Sequence, residues 1–147
     1  LLTITKRLEF DAAHRLLNHE GKCKNLHGHR YVLELTVRPN YKLDDVGRVV
    51  DFGVIKTVVG GWIDRVIDHG LLAHEAGPDA DPIADLADKL KLKVFWLHEP
   101  TTAENLVRFF AEQAHKMLHH ETDGVVSVVR ARLYETPTSY ADYVRLP

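Results

Sequence analysis

Three histidines and one cysteine carry the spacing best suited to chemistry in this chain. His27 and His29 are separated by a single glycine. In an extended segment, residues two apart project to the same side, about 7 Å apart along the backbone, so both imidazoles can reach one ion. His14 ends an upstream alternating stretch, and an antiparallel partner would bring it opposite that pair. Three neutral imidazoles with one coordination position left free is a catalytic zinc arrangement, whereas structural zinc is closed by four protein ligands. A lone His-x-His is commonly an accident of composition; a third histidine at a strand end and a nearby cysteine argue against that here. Cys23, four residues before His27, leaves two readings open. It is either a fourth ligand that seals the site or a neighbouring thiol, lowered by the cation from its ordinary pKa of about 8.5 and able to take a proton. Gly28 suits a backbone that must bend between ligands. Asp11 and Asn25 are candidates to orient the imidazoles from behind.

These side chains must be held by surrounding elements. Residues 3–10 alternate loosely between apolar and polar, and residues 31–38 (YVLELTVR) alternate more cleanly, so both read as strands of one sheet. The polar connection between them, about residues 18–28, is too long for a tight turn, and long loops in compact domains commonly carry function. From Val54 to Ile67 apolar residues recur at helical spacing, with a weak point at Gly60-Gly61. A turn cluster at residues 77–82 precedes a short helical segment and an extended VFWL. Thr102 is the expected N-cap of the next helix, with Glu104 and Asn105 in its first turn. Leu106, Phe109, Phe110, Ala114 and Met117 form its buried stripe. VVSVVRARLYET reads as a strand, and YADYVRL as a short one. Strands in pairs, separated by helices, predict an α+β fold with an antiparallel sheet.

Bulk properties set the outer bounds. The chain has 147 residues, the length of one domain spanning 1–147, with 45% apolar and 27% charged residues, the balance of a globular protein. The formal charge is −2 and no basic block exists, so nucleic acid is not an expected partner. No apolar run is long enough for a bilayer. One cysteine and no signal-like opening lead to the expectation of a cytoplasmic protein. Histidine is enriched, with ten copies; His115, His119 and His120 lie in a polar helical stretch and read as solvent-facing.

Six ordered motifs make the sequence recognisable: FDAAHRL (10–16), CKNLHGH (23–29), VVDF (49–52), IDHGLL (67–72), TAEN (102–105) and YET (134–136). Together they resemble the 6-pyruvoyltetrahydropterin synthase and 6-carboxytetrahydropterin synthase family over nearly the whole chain. The resemblance implies the tunnelling fold, a four-stranded antiparallel sheet with two helices whose subunits form a barrel. It also implies a homohexamer of two stacked trimers, with active sites at subunit interfaces. Position by position, His14, His27 and His29 are similar to the family's Zn2+ ligands, Cys23 to its catalytic thiol, and Asp68 and His69 to the pair that works with that thiol. Glu135 is similar to the carboxylate that anchors the pterin, and Thr102 and Glu104 fall where the family also contacts it. Without that context, Asp68-His69 reads as a cap on the helix ending near Ile67, and Glu135 as a solvated strand-end carboxylate.

Two departures are visible. Ala103 replaces the Ser or Thr often found between Thr102 and Glu104, and the segment from about 74 to 99 is longer than in compact bacterial members. The implied substrate is 7,8-dihydroneopterin triphosphate. Three residues between Cys23 and His27, together with Asp51, resemble the carboxy enzyme of the queuosine route, which releases acetaldehyde. The pyruvoyl enzyme and a non-catalytic zinc- and pterin-binding protein of the same fold are the alternatives.

Overall fold

In chain order the elements are β1 (Ile4–His14), β2 (His27–Pro39), α1 (Phe52–Ile55), a π-helical turn (Lys56–Gly60), α2 (Gly61–Val66), β3 (Gly70–His74), α3 (Ala80–Leu90), β4 (Val94–Leu97), α4 (Ala103–Glu121), β5 (Val126–Thr136) and β6 (Ser139–Val144). They come from a computed structural model describing residues 2–146. The strands form one curled sheet of order β4-β3-β1-β2-β5-β6. The expected antiparallel skeleton is present: β1 with β2, β2 with β5, and β5 with β6. The sheet nevertheless has six strands rather than four, and it is mixed, because β3 runs parallel to β1 and β4 parallel to β3. A short parallel strand buried on both sides shows no period-2 alternation, and GLLAH has none.

Alternation sorts the two long strands cleanly. Leu8, Phe10, Ala12 and His14 of β1 face the same way as Tyr31, Leu33, Leu35 and Val37 of β2, and all eight are buried. Against this face pack Ile55, Val59 and Ile63 from the first helical stretch, and Leu106, Phe110, Ala114 and Leu118 from α4. Phe10 stacks on Tyr31 and tilts against Phe110, each at 5.3 Å between ring centroids, which ties both layers together. The opposite, helix-free face is polar: Arg7, Glu9, Asp11 and Arg30 form one ion-pair chain, and Asp142 holds Arg130 and Arg132 in another.

The weak point between residues 54 and 67 becomes a π-helical turn ending at Gly60. A Cβ on Gly60 would stand 3.3 Å from Leu8 Cδ2, so the glycine lets the widened turn lie directly on β1. Asp51 caps α1 by accepting the Gly53 amide at 2.7 Å and is paired to Arg48 at 2.9 Å; in this chain it serves the helix start. Thr102 is the N-cap of α4, as expected, accepting the Asn105 amide. No helix among the described residues is long and apolar enough to cross a membrane.

Candidate active site

The register of β1 and β2 pairs His14 directly with His27 and Ala12 with His29. Cross-strand partners share a face, so all three imidazoles converge at the end of the helix-covered layer. Their ring centroids lie 4.7, 5.2 and 4.8 Å apart, and one nitrogen from each falls within 4.8 Å of the others. His14 Nδ1 is 2.8 Å from the Thr101 carbonyl and His27 Nδ1 is 2.7 Å from the Asn25 carbonyl. A carbonyl only accepts, so Nδ1 carries the proton in both rings and Nε2 presents its lone pair. Asn25 thus acts from behind as expected, through its backbone.

The Nε2 atoms of His14, His27 and His29 are all buried without a hydrogen-bond partner. One such buried group costs about 1–3 kcal/mol. Three converging on one point form a group that could hold a metal ion, and neutral nitrogen donors suit zinc. Burial lowers the pKa of His14, although the Thr101 carbonyl and Glu135 pull it up. It lowers His29 against the same carboxylate. Both rings are therefore biased toward the neutral form a metal needs.

Glu135 lies across from the triad, its Oε1 3.5 Å from His29 Nε2. The β2–β5 ladder begins at Val32 and Tyr134; beyond it the strands part, and His29, Glu135 and Gly28 line a cavity of about 570 Å³ in the fork. Gly28 is not required by its backbone: it is an ordinary paired strand residue, and an added Cβ would meet only Ala12 O at 3.5 Å. Cys23 sits in a single 3-10 turn at Lys22–Lys24, half-buried and free. It does not join the close group of ligand atoms formed by the three histidines. Thr102 adjoins the carbonyl that orients His14, but its hydroxyl is used by the helix cap. Glu104 is exposed, with no hydrogen bond or ion pair among the described residues.

Asp68 and His69 are joined, but elsewhere. His69 Nδ1 is 2.7 Å from Asp68 Oδ2, while Asp68 Oδ1 accepts the Asp11 amide at 2.8 Å. The Asp11 carboxylate completes this second cluster and accepts from Arg30 at 2.7 Å. Asp11 alternates with His14 along β1, so this cluster belongs to the helix-free face, and Asp11 is not a partner of the triad as its position had suggested. Nor does the pair cap α2: backbone amides of Ile67 and Asp68 close that helix on Ile63 O. Burial would raise the Asp68 carboxyl, but the Asp11 amide and the His69 ring outweigh it and hold the pKa below its ordinary value. His69 adopts a left-handed backbone, φ 59°, an uncommon state for a non-glycine residue. It is fixed there by its amide, which donates to Asp11 O at 2.7 Å.

Two site residues escaped the sequence reading. Tyr31 is fully buried, edge-on to His14 and His29 at 6.0 and 5.5 Å, with its hydroxyl unpartnered. Burial, then Glu135, pushes its pKa far up, so it stays a neutral donor. The two-residue period 27, 29, 31 was the available signal. Thr101 acts through its carbonyl, which no side-chain pattern announces.

Comparison with known proteins agrees with this architecture. Residues 3–145 match the family described as 6-pyruvoyl tetrahydropterin synthase. The chain belongs to that family. Among curated relatives, a 6-carboxy-5,6,7,8-tetrahydropterin synthase of Rickettsia bellii is 36% identical over 142 residues, covering 97% of this chain and 99% of the relative. One of the same name from Haemophilus influenzae is 35% identical over 145 residues, with the same coverage. Among solved structures, an uncharacterized protein from Wolinella succinogenes superposes with a TM-score of 0.79 at 19% identity, covering 99% and 98% of the two chains. The Caenorhabditis elegans 6-pyruvoyl tetrahydropterin synthase gives 0.67 at 22% identity, covering 99% and 96%. These structural likenesses bear on the fold.

Proposed function

We propose that the chain is a zinc-dependent 6-carboxy-5,6,7,8-tetrahydropterin synthase, converting 7,8-dihydroneopterin triphosphate to 6-carboxytetrahydropterin with release of acetaldehyde and triphosphate. The observation that carries the reading is the set of three buried, unpartnered Nε2 atoms on a chain that aligns end to end with proteins of that name. His14, His27 and His29 would hold the metal. Zinc, when bound, supplies Lewis-acid stabilisation of the negative charge that develops on side-chain oxygens as a carbon-bound proton leaves.

The protein's own groups do the rest. Glu135, beside the triad, anchors the pterin by accepting two parallel N–H bonds, which fixes the ring's orientation. Thr102 and Glu104, at the start of α4, would make further contacts to the pterin. Cys23 takes the carbon-bound proton, and its absence from the ligand group supports a thiol role over a fourth ligand. Asp68 holds the Nδ1–H of His69, which leaves Nε2 to deliver or collect a proton.

Cys23 lies next to the triad in sequence, while His69 stands on the other face of the sheet. That separation supports a site completed by a neighbouring copy, in a homohexamer of two trimers. The deciding experiment incubates zinc-loaded protein with 7,8-dihydroneopterin triphosphate and identifies the products by mass spectrometry. Acetaldehyde with the 6-carboxy product upholds the assignment. The 6-pyruvoyl product transfers it to the other branch of the family, and unchanged substrate removes catalysis.

A further inference from the structure

The turn that carries Cys23 contributes no residue to the hydrophobic core. None of its residues is fully buried, so hydrogen bonds contribute much of what fixes its shape. Two of those bonds come from the residues directly after His14. The Leu16 amide donates to the Cys23 carbonyl at 2.8 Å, and Arg15 Nε donates to the Lys24 carbonyl at 3.0 Å. Arg15 is held in turn: its carbonyl lies 3.4 Å from the Thr101 hydroxyl, and its Nη1 is 3.6 Å from Asp79 Oδ2. Asp79 occupies the N-cap position of α3, yet its side chain makes no cap bond. Its carboxylate faces Arg15 instead.

We propose that Arg15 is a positioning residue for Cys23, and that Asp79, at the start of α3, is the anchor that keeps its guanidinium in place. This inference rests on the reading of Cys23 as the proton-taking thiol. It gives the segment 74–99 a role, since through Asp79 and Arg15 that segment braces the turn beside the histidine triad. The rigid guanidinium fork contacts the Lys24 carbonyl and Asp79 at once, which a lysine ammonium on a flexible stem reproduces only in part. A base must come within about 2.6–3.2 Å of the proton it removes, and a displacement of about 1 Å lowers the rate about 100-fold.

The test uses full-length, zinc-loaded protein carrying Arg15→Ala, Arg15→Lys or Asp79→Asn, assayed with 7,8-dihydroneopterin triphosphate. Because Cys23 is the sole cysteine, its alkylation by iodoacetamide reports the thiol's surroundings without turnover. Arg15→Ala is expected to lower kcat about 10- to 100-fold with KM within about threefold. Zinc content and Tm should hold while the alkylation rate shifts. Arg15→Lys recovers part of the loss, and Asp79→Asn loses less than Arg15→Ala. On a Cys23→Ala background, Arg15→Ala should change the residual rate no further, since residues acting as one unit are not additive. Wild-type kcat and alkylation in Arg15→Ala, beside an impaired Cys23→Ala, would overturn the positioning role alone. Wild-type turnover by Cys23→Ala would remove the thiol reading and this inference together.

Discussion

His14, His27 and His29 meet under the helices, where His14 has no solvent exposure and three ring nitrogens lack partners. His69 stands on the opposite face of the same strands with 76% of its side chain exposed and Nδ1 already taken by Asp68. In the first cluster burial lowers the pKa of His14 and His29, and all three rings offer an unused Nε2 lone pair, which is what a cation requires. The second is solvated and lies beside the Asp68 and Asp11 carboxylates. One residue type serves both purposes because strand alternation turns the three triad rings inward while a left-handed turn holds His69 outward, and a carbonyl or carboxylate behind the ring decides the tautomer.

The contrast breaks most sharply at the metal. His27→Ala should lower zinc affinity by more than the roughly 10- to 100-fold typical of losing an outer-shell partner, and activity should go with it. Zinc content after gel filtration, measured by mass spectrometry, is the check; a variant keeping one zinc per chain would end the ligand assignment. The dyad should behave oppositely: His69→Ala is expected to lower kcat about 100- to 10,000-fold, the usual worth of a positioned acid or base, with zinc content unchanged. Mixing the inactive Cys23→Ala and His69→Ala proteins and reassembling them should restore activity in about a quarter of the sites if each site spans two copies. No recovery, despite demonstrated mixed oligomers, would place the whole site in one chain.

Glu135 sits where the triad opens into the fork. Glu135→Gln removes a charged acceptor, and charge-assisted hydrogen bonds contribute about 1.5–3 kcal/mol, so KM should rise about 10- to 100-fold. Zinc content should stay at the wild-type level. A KM that does not move would assign Glu135 to tuning His29 instead of holding the pterin.

The parts of this contrast legible in the sequence are those governed by period. His-Gly-His on an alternating strand put His27 and His29 on one side, and the register did the rest for His14. Thr102 was legible as a cap because capping is local chemistry. Strand β3 was not, since a short parallel strand lacks alternation, and β4, though extended as VFWL suggested, gave no sign of its parallel pairing with β3. Asp11 was misplaced for a related reason: its neighbour across the sheet is β3, and without a period to reveal that strand nothing showed that a parallel partner would bring Asp68 and His69 to it. The carbonyls of Thr101 and Asn25 have no side-chain signature at all. The Arg15–Asp79 link joins residues 64 positions apart through a loop without periodicity.

The smallest effect lies farthest from the triad, on the helix-free face at the β5–β6 hairpin. Asp142 accepts from Arg130 and Arg132 at 2.8–3.0 Å, and these arginines, Arg132 foremost, hold its carboxyl down at about 2. An ordinary unfolded Asp titrates near 3.9, so the folded state binds its proton less readily. The stabilisation is complete above about pH 4 and is lost as pH falls toward 2. With 33% of the Asp142 side chain exposed, solvent limits the pair to about 0.5–1 kcal/mol, a Tm shift of about 1–4 °C in a chain this long. Asp142→Asn should therefore melt slightly below wild type at pH 7, and the gap should narrow at pH 2.5. An equal gap at both pH values would mean that packing of Arg132 over Tyr140, 3.7 Å from its ring centroid, and not charge, holds the hairpin edge.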